Sequence, residues 1–154
     1  MISKNDYLHF VDEQLQAMIA MVLELGDALA NQALDVPGSN SPYAILTHCL
    51  GVMEYWGGHV VEGRPSSRDR ASEFRASGSV EDLVDRARAG QRQLQEDLIG
   101  SEPNRAVNNS PGDELRGSPM GKTQGGALIH IYEELARHRG HMDLTRDLLL
   151  ARRG

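Results

Sequence analysis

The feature that most constrains this chain is a run of apolar residues at helical spacing from about Lys4 to Asn31. Leu8, Val11, Leu15, Met18, Ile19, Val22, Leu25 and Leu29 recur every three or four positions. Such a stripe covers one face of a long helix and has to be buried against other helices. Asp35, Pro37 and Gly38 lie beyond its end. A second segment opens at Asn40 or Ser41 with Pro42 in the favoured first turn. It carries Ile45, Cys49, Val52, Met53, Trp56 and Val60 before Gly63-Arg64-Pro65, and Gly57-Gly58 weakens its middle without having to end it. A third starts at Ser79, with Glu81 and Asp82 suited to a helix N-terminus, and runs to Gly100. The fourth runs from near Thr123 to about Arg152. No run reads as a strand, and no repeat or linker divides the chain. The expectation is an all-α four-helix bundle forming a single domain over residues 1–154, with an Arg-rich loop (Arg64 to Ser77) between helices 2 and 3 and a long Asn/Pro/Gly-rich loop (Glu102 to Gly121) between helices 3 and 4.

Composition narrows the function classes. A chain of 154 residues, 40% of them hydrophobic, is long enough for one real core. No stretch approaches the roughly 20 apolar residues of a membrane span, and no basic-then-apolar leader opens the chain, so the expected location is cytoplasmic, away from membranes. A net charge of −6 argues against nucleic acid as a partner. With Cys49 as the only cysteine there is neither an internal disulfide nor a cysteine zinc cage.

The fourth segment interrupts its apolar stripe with chemistry. In His130-Ile-Tyr-Glu-Glu134-Leu-Ala-Arg-His138-Arg-Gly-His141, four polar groups fall within an arc of about 80° at roughly 100° per residue, bordering Leu128, Ile131, Leu135, Met142 and Leu149. On the same estimate His48, Tyr55 and His59 share one edge of the second helix. Distance prunes the combinations. At about 1.5 Å rise per residue, His48 and His59 stand roughly 16 Å apart and His130 and His138 about 12 Å, too far to share an ion with bonds of about 2.1 Å. If helices 2 and 4 run antiparallel, His48 faces the later half of helix 4, which favours His138 with Glu134 or His141. The preferred set is His48, Glu134 and His138, two imidazoles and a carboxylate around an ion with an open position. The bland alternative leaves the histidines at an interface and Glu134 paired with Arg137 in solvent.

The segment Leu46-Thr-His48-Cys-Leu-Gly-Val-Met-Glu-Tyr-Trp56, together with Glu134-x-x-x-His138-x-x-His141-Met-Asp143, Gly125-Gly126-Ala-Leu-Ile-His130 and Arg70-x-x-Glu73-Phe74, resembles the DinB-like superfamily. The nearest branch is its actinobacterial one, related to mycothiol-dependent maleylpyruvate isomerase. The resemblance implies helices in up-down-down-up order and a divalent metal, zinc or alternatively nickel, on His48, Glu134 and His138. It also implies a low-molecular-weight thiol, mycothiol or bacillithiol, as cofactor or co-substrate. Many members carry a histidine where Glu134 stands; the ExxxH form points to the isomerase-like branch.

The expected activity is therefore a metal-dependent thiol S-transferase or isomerase acting on a small electrophile, with a small-molecule thiol and that electrophile as partners and a homodimer as the assembly to consider. His141, Tyr55 and His59 are candidates to orient ligands or relay a proton around the metal. Arg64, Arg68, Arg70 and Arg75 read as a solvated loop. Cys49 reads as a buried structural thiol, and Asp143 as an exposed helix charge. The alternative function is a non-catalytic bundle, metal-binding or metal-free, acting as a stress-related interaction protein. An open coordination position distinguishes the two, because a structural site would be closed by a fourth ligand, for which His141 is the candidate.

Overall fold

Four long helical segments account for most of the molecule. The structure, a computed structural model, describes residues 2–152; residues 1, 153 and 154 of the expected domain lie outside the described residues. Helix α1 spans Lys4–Ala30, and a capping box fixes its start, with the Ser3 hydroxyl accepting from the Asp6 N–H and the Asp6 side chain reaching back. Helix α2 spans Pro42–Met53, capped by Ser41, with Pro42 supplying a preset φ and no N–H to satisfy. Two short helices follow in the loops, α3 (Arg70–Glu73) and α5 (Pro119–Lys122). Helix α4 covers Val80–Asp97 and α6 covers Gln124–Ala151, capped by Ser79 and Thr123. Among the described residues the only β pairing is an isolated bridge between Ala106 and Thr123.

The second segment differs from its expected geometry. It continues past Met53 as a π-helix over Glu54–Glu62, ended by Gly63 in the left-handed conformation (φ 95). A π-helix closes i→i+5 hydrogen bonds, so its side chains no longer advance by the α-helical angle. Tyr55 and His59 still lie side by side, ring centroids 5.2 Å apart. Gly57 and Gly58 sit inside this stretch because neighbouring side chains crowd them. A Cβ at Gly57 would lie 2.4 Å from Leu94 Cδ1, and one at Gly58 would lie 2.1 Å from Arg64 Nη2.

Helix α1 packs against α6, α4 and α2, and α2 packs against α6 and α4. Val11, Leu15, Met18 and Val22 of α1 are buried, as are Ile45 and Val52 of α2, Leu83 and Ala87 of α4, and Ile131, Leu135, Met142 and Leu149 of α6. Fully burying one such aliphatic side chain stabilises a fold by about 1.5–3 kcal/mol. The buried polar side chains include His48, Thr47, Glu134, Gln124 and Thr145 on α2 and α6. Of these, His48 and Glu134 face each other across the α2–α6 seam, so the core turns polar there. No described helix is long and apolar enough to cross a membrane.

Candidate metal centre

His48 projects from the middle of α2 into that seam, and Glu134 and His138 project from successive turns of α6, four residues apart on one face. One ligand-type atom from each of the three lies within 4.8 Å of the others. Glu134 Oε2 is 3.4 Å from His48 Nε2 and 3.6 Å from His138 Nε2. Good N–H···O bonds measure about 2.7–3.2 Å, so these separations are long for hydrogen bonding. A tetrahedral ion with bonds of about 2.1 Å holds neighbouring ligand atoms about 3.4 Å apart. The spacing therefore fits ligands better than hydrogen-bond partners, and the residues present fit a divalent metal.

The polar inventory around His48 agrees. Its Nδ1 lies 2.8 Å from Glu73 Oε2, so that nitrogen donates to a carboxylate and Nε2 is turned toward Glu134. Two electron-rich groups then face each other across the seam, and a positive centre, proton or metal, belongs between them. Phe74 stacks on the His48 ring, centroids 4.5 Å apart. Glu73 in turn accepts from Arg68, Nε to Oε1 at 2.7 Å and Nη2 to Oε2 at 2.9 Å. Burial pushes the Glu73 carboxyl up, but the hydrogen bonds from Arg68 and His48 outweigh it, and the net shift is downward. Glu134 is held well below the usual carboxylate range, first by His138, then by His48, with Arg137 adding to the effect against the opposing pull of burial. Arg137 Nη1 bonds Glu134 Oε1 at 2.5 Å. The pairing expected for a solvent-exposed Glu134 is thus present, but Glu134 itself is buried, and Oε2 is left facing the imidazoles.

The other candidates divide. Tyr55 lines a cavity of about 520 Å³ together with His48, Glu134, Trp56, Arg70 and His130. His130, four residues before Glu134, packs edge-on against Trp56 at 4.6 Å and reaches this cavity rather than the ligand cluster. His59 is not part of the ligand cluster: its ring packs beside that of Tyr55, and its Nδ1 lies 2.7 Å from the Arg64 carbonyl. His141 does not join the three ligands; its ring centroid is 6.3 Å from that of His138, and burial and the His138 charge lower its pKa. Among the described residues the cluster has no fourth His, Cys, Asp or Glu. Asp143 pairs at 3.8 Å with Arg139 and 3.5 Å with Arg146, as a helix-surface charge does. Cys49 is fully buried. Burial raises its pKa, and the nearby negative charges of Glu134 and Glu73 raise it further, so it is a poor nucleophile.

The solvated-loop reading of the arginines fails at two positions. Arg68, only 12% exposed, is committed to Glu73, and its guanidinium lies 5.5 Å from the Tyr55 ring centroid. Arg64 forms a bidentate pair with buried Asp97, at 2.9 and 2.7 Å, which anchors the end of the π-helix to α4. Sequence reasoning missed Glu73 as a partner of His48. The available signal was Arg70-x-x-Glu73-Phe74, a carboxylate beside an aromatic in an otherwise basic loop.

Comparison with known proteins bears on this arrangement directly. Among curated proteins none matches the chain at a significant level. The family model described as Mycothiol-S-transferase matches residues 6–151, a span that includes all three clustered ligands, Glu73 and the cavity wall. The chain belongs to the mycothiol S-transferase family, within the DinB-like group.

Proposed function

We propose that this protein is a divalent-metal-dependent thiol S-transferase that joins the sulfur of mycothiol, or of a thiol of the same chemistry, to a small electrophile. The observation that carries this reading is a His48–Glu134–His138 cluster on α2 and α6 whose ligand atoms all lie within 4.8 Å of one another, with His48 and Glu134 on the wall of a cavity of about 520 Å³. A divalent ion bound there supplies Lewis acidity that favours the thiolate form of a thiol at neutral pH. Zinc is the ion of choice for two imidazoles and one carboxylate with a vacant position, and nickel is the alternative that the same donors suit.

The chain's own residues do the rest. Glu73 and Phe74 fix the plane of the His48 ring, and Arg137 holds one Glu134 oxygen so that the other points at the imidazoles. Tyr55, Trp56 and Leu115 give the cavity apolar wall, which limits water around a reactive sulfur; Arg70 and His130 add hydrogen-bond donors for polar parts of thiol or electrophile. The attacking sulfur comes from the bound thiol, since Cys49 is buried on the apolar side of α2. We read residues 1–154 as one domain with the DinB-like up-down-down-up helix order, a reading supported by the packing of α1 and α2 against each other and each against both α4 and α6.

The test is conjugation of mycothiol to a fluorogenic bimane electrophile by zinc-loaded protein. The expected result is turnover that disappears on chelation, returns with zinc and is lost in Glu134→Gln. Turnover indifferent to the metal would overturn the reading.

A further inference from the structure

The segment that carries Glu73 is held on the molecule in an unusual way. Between α3 and α4 lies a second cavity of about 600 Å³, lined by Thr47, Gly51 and Glu54 of the second segment, Glu73 and Ala76 of the loop and Arg86 of α4. On that side the loop borders an open depression, while on the other Phe74 stacks on the His48 ring, centroids 4.5 Å apart. What ties its middle to α2 is largely polar: the Arg68 guanidinium clasping Glu73, and Glu73 bonded to His48. Arg68 lines both this cavity and the one beside the metal centre, whereas Glu73 lines only this one.

Glu73 reaches His48 through a gap in α2. Gly51 is one turn after His48, and a Cβ there would lie 2.0 Å from Glu73 Oε1, 2.6 Å from its Cδ and 3.2 Å from Arg68 Nε. No residue other than glycine leaves room for the carboxylate at this point. The obstructed atoms are the flexible ends of side chains, so a methyl group would displace Glu73 without breaking the helix. Alanine is in fact the better helix former by about 1 kcal/mol, which keeps α2 intact in such a variant.

We propose that Glu73 is a positioning residue for the metal centre, delivered to His48 through the gap at Gly51 by a loop latch that metal binding closes. The inference rests on the metal reading above and adds a linkage to it. When the latch is shut, the His48 Nδ1–H donates to the Glu73 carboxylate, which leaves the Nε2 lone pair for the ion and makes the imidazole a stronger donor. When it is open, His48 loses its orienting acceptor. A metal that binds the shut form more tightly must stabilise the loop by the same free energy, because linkage is reciprocal.

Two measurements on the full chain test this. Zinc affinity is read by competition with a chromophoric chelator in the wild type, Glu73→Ala and Gly51→Ala. Both variants should still bind zinc but about 10–100-fold more weakly, the range for loss of an outer partner of a ligating histidine. In the wild type, amide hydrogen exchange across 67–76 should slow when zinc is added, a readout that needs no variant and so does not depend on one folding. Zinc binding by the wild type with unchanged affinity in both variants, or exchange indifferent to zinc, would sink the latch and leave the metal reading standing. A wild type that binds no zinc would sink both.

Discussion

Helices α1 and α6 pack against each other and are nearly equal in length, yet they are built differently. The buried face of α1 is apolar apart from Gln14, with Val11, Leu15, Met18 and Val22 repeating at helical spacing. The buried face of α6 mixes Ile131, Leu135, Met142 and Leu149 with Gln124, Glu134 and Thr145. The first pattern is explained by burial alone. The second carries a desolvation cost that burial cannot repay: Gln124 meets it by accepting from the Glu102 N–H and Thr145 by bonding the His141 carbonyl, while Glu134 faces the buried His48 of α2. A polar interruption of an otherwise ordinary stripe is thus the mark of the site, and α1 serves as the internal control for it.

That contrast breaks in a definite order. The largest effect falls on binding: His138→Ala should abolish metal binding, measured by equilibrium dialysis against zinc, while the metal-free protein remains folded by circular dichroism. Retained binding would place the ion elsewhere on α6. Next, Leu15→Ala should destabilise the fold by about 2–5 kcal/mol in urea unfolding, since it opens a cavity in a fully buried region. Zinc stoichiometry should be unchanged. Loss of zinc in that variant would mean that the two helices are not separable into scaffold and site.

Acid sharpens the comparison further. Glu134 and Glu73 both have folded pKa values below their ordinary ones, Glu134 first through His138 and Glu73 through Arg68 and His48 against the opposing effect of its burial. A depressed carboxylate contributes stability that is fully present above its unfolded pKa of about 4.3 and is lost as pH falls through the lower folded value. The metal-free protein should therefore lose stability as pH drops below about 4.5, and Glu134→Gln should flatten that limb of the curve. An unchanged limb would show that the carboxylate is not paired. The smallest effect belongs to Cys49. Cys49→Ala should change thiol-transfer turnover by less than about twofold, as expected for a thiol that is buried and kept protonated.

How much of this was legible follows from the same physics. The bounds of α1 and α6 could be read within a residue or two because apolar period and capping residues are local signals: Ser3, Ser41, Ser79 and Thr123 all cap where the pattern begins. The spacing of Glu134 and His138 is also local, so their shared face was legible. The π-helix was not: Gly57-Gly58 reads only as a weak point in an α-helical pattern, and the side chains that approach those glycines, Leu94 and Arg64, come from outside the segment. His59 lies beside Tyr55, and its bond to the Arg64 carbonyl, a loop partner, is one that helical spacing does not announce. Glu73 was hidden by distance along the chain, 25 residues from the histidine it supports, and by the ordinary expectation that an Arg-rich loop is solvated.

The central claim is that His48, Glu134 and His138 together hold one divalent ion. The most direct measurement is elemental analysis of protein purified without an affinity tag or chelator, against protein concentration, with His130→Ala alongside. The account predicts about one divalent ion per chain in both, because His130 reaches the cavity and not the ligand cluster. Protein that carries no metal even after incubation with zinc and nickel, or that loses it on replacement of His130, would contradict it.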